Sequence, residues 1–345
     1  MDPLLGHPHQ AAGTRLLSIE DGPGRGMRLL QGWTAGGLSF DVLPDRGFDV
    51  HDARLGGRAL AFHGPGGLRA PGLYEPRGME SWLRGFSGGL VMTGGLDHTL
   101  GPAEDDAVRF AYSGRTSERF PLHGRLTGEP ATLLGHGASG GMVWAEGEVR
   151  QAMLFGENLR LHRRIEASGA TLTLSDTLTN EGAAESPVPV LYHCNLGHPL
   201  LAPAGRIRVR AREMRTAGGF DPEGWDRIPE PRPGFREEVV EIVPEPRAGR
   251  AECLLANAGG DLALRLSWDA DVLPWLFLWR QFAPGTFVLG IEPSNVPAAA
   301  RADIRERGLM PMLAPGGTRK TGLRFDALSG EDARGAIAAA EEDAS

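Results

Sequence analysis

Three short stretches of the chain place histidine, arginine and carboxylate side chains at spacings that suit proton transfer and hydroxyl recognition. In Pro121-Leu122-His123-Gly124-Arg125, an extended backbone would set His123 and Arg125 on one face, with Leu122 and Gly124 on the other. A histidine beside an arginine offers several donors to a hydroxyl-bearing ligand; an exposed polar strand face fits the same pattern. Across residues 188–196, Val188, Val190, Tyr192, Cys194 and Leu196 form a nearly apolar face, and His193 and Asn195 project from the opposite one. A buried histidine must be hydrogen-bonded, and one lining a cavity exchanges a proton near neutral pH. A satisfied core histidine is the plainer alternative. Across residues 286–295, Phe287, Leu289 and Ile291 face one way, so Glu292 ends the strand on the other face, two residues after Gly290. A glycine beside a carboxylate leaves room for a ligand to approach, and Pro293 restrains the backbone that follows. A surface glutamate at a strand end is again the alternative. Just upstream, Trp275, Phe277 and Trp279 alternate along one face. Such a stripe either stacks on sugar rings or packs a core.

The elements that must position these groups are strands. Leucines 172, 174 and 178 alternate with threonines 171, 173, 177 and 179; Leu262, Leu264 and Leu266 repeat the period of two. Further strands are expected at 38–43, 48–55, 142–155, 159–167, 206–212 and 321–327. No long amphipathic helix precedes the Ala-rich segment 331–342, which reads as a short helix or a frayed tail. Two segments break the rhythm: 64–89, rich in Gly and Pro with Tyr74, Trp82 and Phe86, and 218–235, rich in Pro and charge with Trp225. Loops this long in a β domain are usually functional or disordered, and the aromatics in the first favour a packed, rim-forming loop.

Composition agrees. The 345 residues include 50 glycines and 26 prolines, more than a fifth of the chain, yet 41% are apolar and fall in short bursts between the breakers. That is the pattern of many strands joined by many turns. The formal charge of −8, with no Lys/Arg block interleaved with aromatics, argues against nucleic acid. No apolar run nears the roughly 18 residues of a spanning helix. Residues 1–10 lack the basic and apolar regions of a secretory signal, so a cytoplasmic protein is expected. Cys194 and Cys253 cannot form a thiolate cage and read as buried small residues. No phosphate loop, H-E-x-x-H or G-x-S-x-G motif occurs, and His51, His63, His98 and His162 lack zinc-ligand spacing.

Five segments, taken in order, resemble the galactose mutarotase-like superfamily, and within it a bacterial branch of aldose 1-epimerase-like proteins of unknown function. They are Leu43-Pro44-Asp45-Arg46-Gly47-Phe48-Asp49; Gly88-Gly89-Leu90 with Gly94-Gly95-Leu96-Asp97; Leu122-His123-Gly124-Arg125; Tyr192-His193-Cys194-Asn195-Leu196-Gly197-His198-Pro199; and Ile291-Glu292-Pro293-Ser294-Asn295. The resemblance implies an all-β chain, a β-supersandwich with few short helices, and a sugar bound in a cleft on one sheet. It implies one such domain over 15–330, between an N-terminal tail (1–14) and the short C-terminal helix or tail (331–345). It also implies mutarotation without metal or organic cofactor. Opening a cyclic hemiacetal needs the O1 proton removed while the ring oxygen is protonated, and one carboxylate with one imidazole suffices. On the family pattern Glu292 is the general base at O1, His193 the general acid at the ring oxygen, and His123 a second histidine near the reacting atoms. Arg46, Arg125, Asp97, Asn195 and Trp279 complete the expected substrate-binding set. The motifs around His123 and Glu292 match the fuller ones of well-studied mutarotases only in part. A different isomerase on an unusual sugar, and a non-catalytic sugar-binding module, therefore stay open. The expected partner is a monosaccharide, and the expected state a monomer or homodimer.

Overall fold

A computed structural model of the chain describes residues 4–75, 78–106, 116–217 and 223–342. The alternating segments pair antiparallel into three principal sheets. A five-stranded meander runs in chain order through Gly13–Ser18, Arg28–Trp33, Leu38–Leu43, Asp49–Leu55 and Arg58–Ala59. An eight-stranded sheet is ordered Arg206–Val209, Arg250–Ala256, Leu262–Asp269, Thr318–Ser329, Thr171–Asn180, Asn158–Ser168, Met142–Ala152, Ala131–Ser139. A six-stranded sheet is ordered Ala211–Ala217, Glu238–Pro244, Trp275–Ala283, Thr286–Ser294, Leu191–Leu196, Met92–Gly94.

The period of two decides which side chains meet. Val143, Ile165, Leu174, Leu266 and Phe325 of the large sheet join Tyr192, Cys194, Leu276, Leu278, Leu289 and Ile291 of the six-stranded sheet in one buried cluster. The two inner faces thus form a sandwich core, and the other face of the six-stranded sheet is left for the site. The C-terminal segment forms the helix Gly330–Glu342, whose Ala333 and Ala336 cover Leu254, Ala256 and Ala263 on the outer face of the large sheet. Among the described residues, no helix is long and apolar enough to cross a membrane.

Between the sheets lies a fully buried arginine. Arg163, 0% exposed, bonds Asp176 through Nε and Nη2 (2.8 and 2.7 Å), Asp49 through Nη1 (2.6 Å) and Thr93 Oγ1 (2.9 Å). Tyr192 donates its hydroxyl to the same Asp176 at 2.7 Å. These bonds tie the large sheet to Asp49 of the meander and to the two strands that carry Thr93 and Tyr192. Each partner's charge offsets the cost of taking the others out of water.

Several expectations need correction. The segment 206–212 is two strands, Arg206–Val209 and Ala211–Ala217, because the chain leaves the large sheet there and joins the six-stranded one. The stretch 64–89 contains the 3-10 turn Pro71–Leu73 and the helix Met79–Gly85. At the N-terminus the strand Gly13–Ser18 takes up the last two residues of the expected tail. Of the second irregular segment, 218–222 lie outside the described residues; beyond them Trp225 packs against the core and Arg227 bridges to Arg206.

Candidate active site

Strand register brings the pair together. Leu191 faces Ser294 and Cys194 faces Ile291, so His193 stands opposite Glu292. On the far side of each strand, His193 faces Met92 and Glu292 faces Phe277. Residues opposed across a ladder project to the same face, and this row points away from the core. His193 Nε2 and Glu292 Oε1 lie 3.1 Å apart. The contact is not aligned as a hydrogen bond, and Glu292 Oε1 and His193 Nδ1 are both buried without a hydrogen-bond partner among the described residues. The next row holds Asn195, Gly290 and Trp279.

Gly290 explains where the carboxylate goes. A Cβ at that position would lie 2.3 Å from Glu292 Oε1 and 3.1 Å from Trp279 Cβ. The space that the sequence reading assigned to an approaching ligand is filled by Glu292's own carboxylate, folded back over the glycine.

His123 reaches the pair from a turn, not from the extended backbone that would set it on one face with Arg125. Its φ is 55°, its N–H donates to Leu100 O at 2.8 Å, and its carbonyl accepts from Gly95 N at 2.9 Å. Gly124 follows with φ 76°, and a Cβ there would sit 2.3 Å from His98 O. The turn sends the neighbours apart rather than onto one face. The His123 ring meets the His193 ring edge-on, centroids 5.2 Å apart. Arg125 instead bonds Asp97 and, at 2.6 Å, Glu118.

Aromatic rings seal this cluster. Trp279 stands edge-on to His193 at 5.4 Å, its Nε1 donating to Glu237 at 2.9 Å. Phe86 lies 5.8 Å from His193, Trp82 lies 5.1 Å from His123, and the two stack on each other at 5.0 Å. His193 and Glu292 are consequently only 4% and 3% exposed. Burial dominates their protonation. It lowers the His193 imidazole to about 3, against a weaker pull from the Asn195 side chain. It raises the Glu292 carboxyl well above the carboxylate range, with the charge of Glu237 adding to it. His123 is pushed well down by burial, then by His193 and His98. The favoured resting state is a neutral carboxylic acid beside a neutral imidazole.

The structure gathers four of the eight expected residues, His193, Glu292, His123 and Trp279, around one point, with Asn195 beneath them. Asn195 is wholly buried, and its Nδ2 donates to Gly89 O and His193 O, both at 3.0 Å. It braces the histidine's strand rather than lining an opening. Asp97 is also wholly buried and committed to Arg125, and its carbonyl accepts from Arg301 at 2.6 Å. Arg46 and Arg125 line a cavity of about 960 Å³, as do Trp82, Phe86 and Met92, which border the buried cluster. Met92 was not singled out from sequence, and no local signal marks it. Trp82 and Phe86 were legible only as loop aromatics. Among the described residues, no group of three or more His, Cys, Asp or Glu could hold a metal ion. Cys194 and Cys253 are free and buried, which pushes both thiols up.

The model of the family described as "Domain of unknown function (DUF4432)" matches residues 24–327. Curated proteins give no match. Among solved structures, the chain is similar to the "putative aldose 1-epimerase" of Klebsiella pneumoniae subsp. pneumoniae MGH 78578, at TM-score 0.84 and 22% identity over 96% of this chain and 86% of that one. It is also similar to a galactose mutarotase-like protein from Clostridium acetobutylicum (TM-score 0.65, 13% identity, 93% and 100% coverage). A third similar structure is the galactose 1-epimerase of Lactobacillus acidophilus NCFM (TM-score 0.59, 15% identity, 92% and 99% coverage). Likeness at these identities establishes the fold, which is galactose mutarotase-like.

Proposed function

The chain belongs to the DUF4432 family and has a galactose mutarotase-like fold; on that premise we propose that it is an aldose 1-epimerase-type isomerase interconverting the anomers of a monosaccharide. The observation that carries the reading is the buried pair, His193 Nε2 and Glu292 Oε1 at 3.1 Å, projecting from the sheet face opposite the core.

The chemistry follows from proton balance. With the cyclic sugar bound, carboxylate faces imidazolium; Glu292 takes the O1 proton as the C1–ring-oxygen bond breaks. The bonding electrons pass to the ring oxygen, which His193 protonates. The open-chain aldehyde turns about its C1–C2 bond. The ring then closes on the other face, with His193 accepting and Glu292 returning a proton. Ring opening leaves both groups neutral, which is the state that burial favours. The sealed site therefore stabilises the protonation state of the opened sugar, against the ion pair of the closed one. His123 lies close enough to hold a hydroxyl beside the reacting atoms, and Trp279 and Phe86 offer apolar ring faces.

The test is the rate of anomer exchange in His193→Asn and Glu292→Gln. Each is expected to fall by roughly 10²–10⁴-fold, the usual worth of a positioned acid or base, with the circular dichroism spectrum unchanged. Full activity in either variant would remove that residue from the mechanism.

A further inference from the structure

Most guanidinium groups in this protein's interior have a carboxylate. Arg163 has Asp49 and Asp176, Arg125 has Asp97 and Glu118, and Arg301 has Asp105. Arg46 does not. It sits half-buried in the turn between the strands Leu38–Leu43 and Asp49–Leu55. The one polar contact of its side chain among the described residues is Nη1 donating to the Arg69 carbonyl at 3.0 Å. The remaining donors of its five-donor fork are uncommitted. The carboxylate nearest in its electrostatics, Asp49, is already bonded by Arg163 and Thr93.

A partly desolvated charge without a counter-charge is costly, so its persistence calls for a partner that arrives from outside. Arg46 lines the 960 Å³ cavity, and that cavity also touches Phe86 and Met92, the neighbours of His193. Arg69 and Arg84 line it too, and neither forms an ion pair among the described residues. Four carboxylates share that wall, Glu75, Glu80, Glu104 and Glu129, against five guanidinium groups, Arg46, Arg69, Arg84, Arg119 and Arg125. Glu104 is held by Arg119, and burial, with Asp97 adding, raises the Glu129 carboxyl toward its neutral form.

Building on the mutarotase reading above, we propose that Arg46 seats an anionic substituent of the sugar, a carboxylate or a phosphate, while the anomeric carbon lies at His193 and Glu292. A planar guanidinium grips either group bidentately, which a set of hydroxyls does not match.

The experiment compares glucose, glucuronate and glucose 6-phosphate, and their galactose counterparts. Anomer exchange is followed by NMR and binding by titration calorimetry, with wild type, Arg46→Gln and Arg46→Lys. At least one anionic sugar should bind wild type ten-fold or more tighter than its neutral parent and exchange faster. Arg46→Gln should raise its Kd ten-fold or more, a larger effect than on the neutral parent, with Arg46→Lys in between. Preference for the uronate identifies a carboxylate, and preference for the 6-phosphate a phosphate. Neutral sugars bound as well as both anions, in wild type alone and so independent of how the variants fold, would overturn the anion seat while leaving mutarotation standing. Arg46-dependent binding of an anion with no exchange on any sugar would support the seat and sink the mutarotase reading. No binding of either anion overturns the proposal.

Discussion

Replacing Gly290 with alanine is a narrow test of the geometry, because it adds one methyl group where the nearest side-chain end among the described residues is the Glu292 carboxylate. The strand is extended there and Gly290 does not occupy a positive φ, so the backbone accepts alanine. The new Cβ would lie 2.3 Å from Glu292 Oε1. Ordinary van der Waals contact begins near 3.4 Å, so the carboxylate, the far end of a flexible side chain, must move by ~1 Å. Trp279 Cβ, at 3.1 Å, yields by a few tenths of an ångström. The expected cost in stability is small, while a misplacement of about 1 Å at a reacting group costs on the order of 10²-fold in rate. That corresponds to about 2.7 kcal/mol of activation free energy. The assay is kcat for anomer exchange by NMR, beside the melting temperature. A hundred-fold loss with a melting temperature within a few degrees of wild type is the expected result. Wild-type kcat in Gly290→Ala would refute the placement of Glu292, and a collapse of the fold would refute the claim that the carboxylate end yields to the new methyl group.

Three further outcomes follow. Arg163→Met leaves Asp49 and Asp176 buried without their cation and should lower unfolding free energy by about 3–5 kcal/mol, read by urea denaturation; a loss under 1 kcal/mol would contradict the network. His51, held down to about 4 chiefly by burial and then by His63, binds its proton more readily unfolded, where its value is near 6.5. Its contribution of about 3 kcal/mol is therefore complete above pH 6.5 and is lost as pH falls towards 4; the stability–pH slope in that window should flatten in His51→Gln, and an unchanged slope would count against it. Phe86→Ala lets water reach His193 and should move its imidazole up from about 3, measured by ring-proton NMR; an unmoved value would show that this ring does not seal the site.

Much of this architecture was readable because strand alternation is local. The strands at 38–43, 159–167 and 171–179 fall within a residue or two of those formed, and the face assignments of Ile291 against Glu292 and Cys194 against His193 follow from counting by two. The buried charge was legible too, but was passed over. Arg163 occupies the inward series Leu159, Leu161, Arg163, Ile165, Ala167, and Asp176 the series Leu172, Leu174, Asp176, Leu178, directly opposite it in register. A charge on an inward position, matched by its opposite across a hairpin, signals a core ion pair. The turn at His123 was not legible, because what leaves no room for a side chain at Gly124, the carbonyls of Gly95 and His98, lies more than twenty residues back in the chain. Nor were the partners of Asp97, since Arg125 and Arg301 reach it from 28 and 204 residues away. In the 64–89 segment the aromatic types were visible, but their docking on His123 and His193 depends on a helix that its Gly and Pro content concealed.

The central claim, that the His193–Glu292 pair opens and closes a sugar ring, is tested most directly by NMR saturation transfer between anomers across a panel of neutral, deoxy and anionic sugars, with wild type and Glu292→Gln. Accelerated exchange of at least one sugar by wild type, abolished in the folded variant, is the result the account predicts. Exchange that survives unchanged in Glu292→Gln, or sugars that bind wild type without any acceleration of exchange, would contradict it.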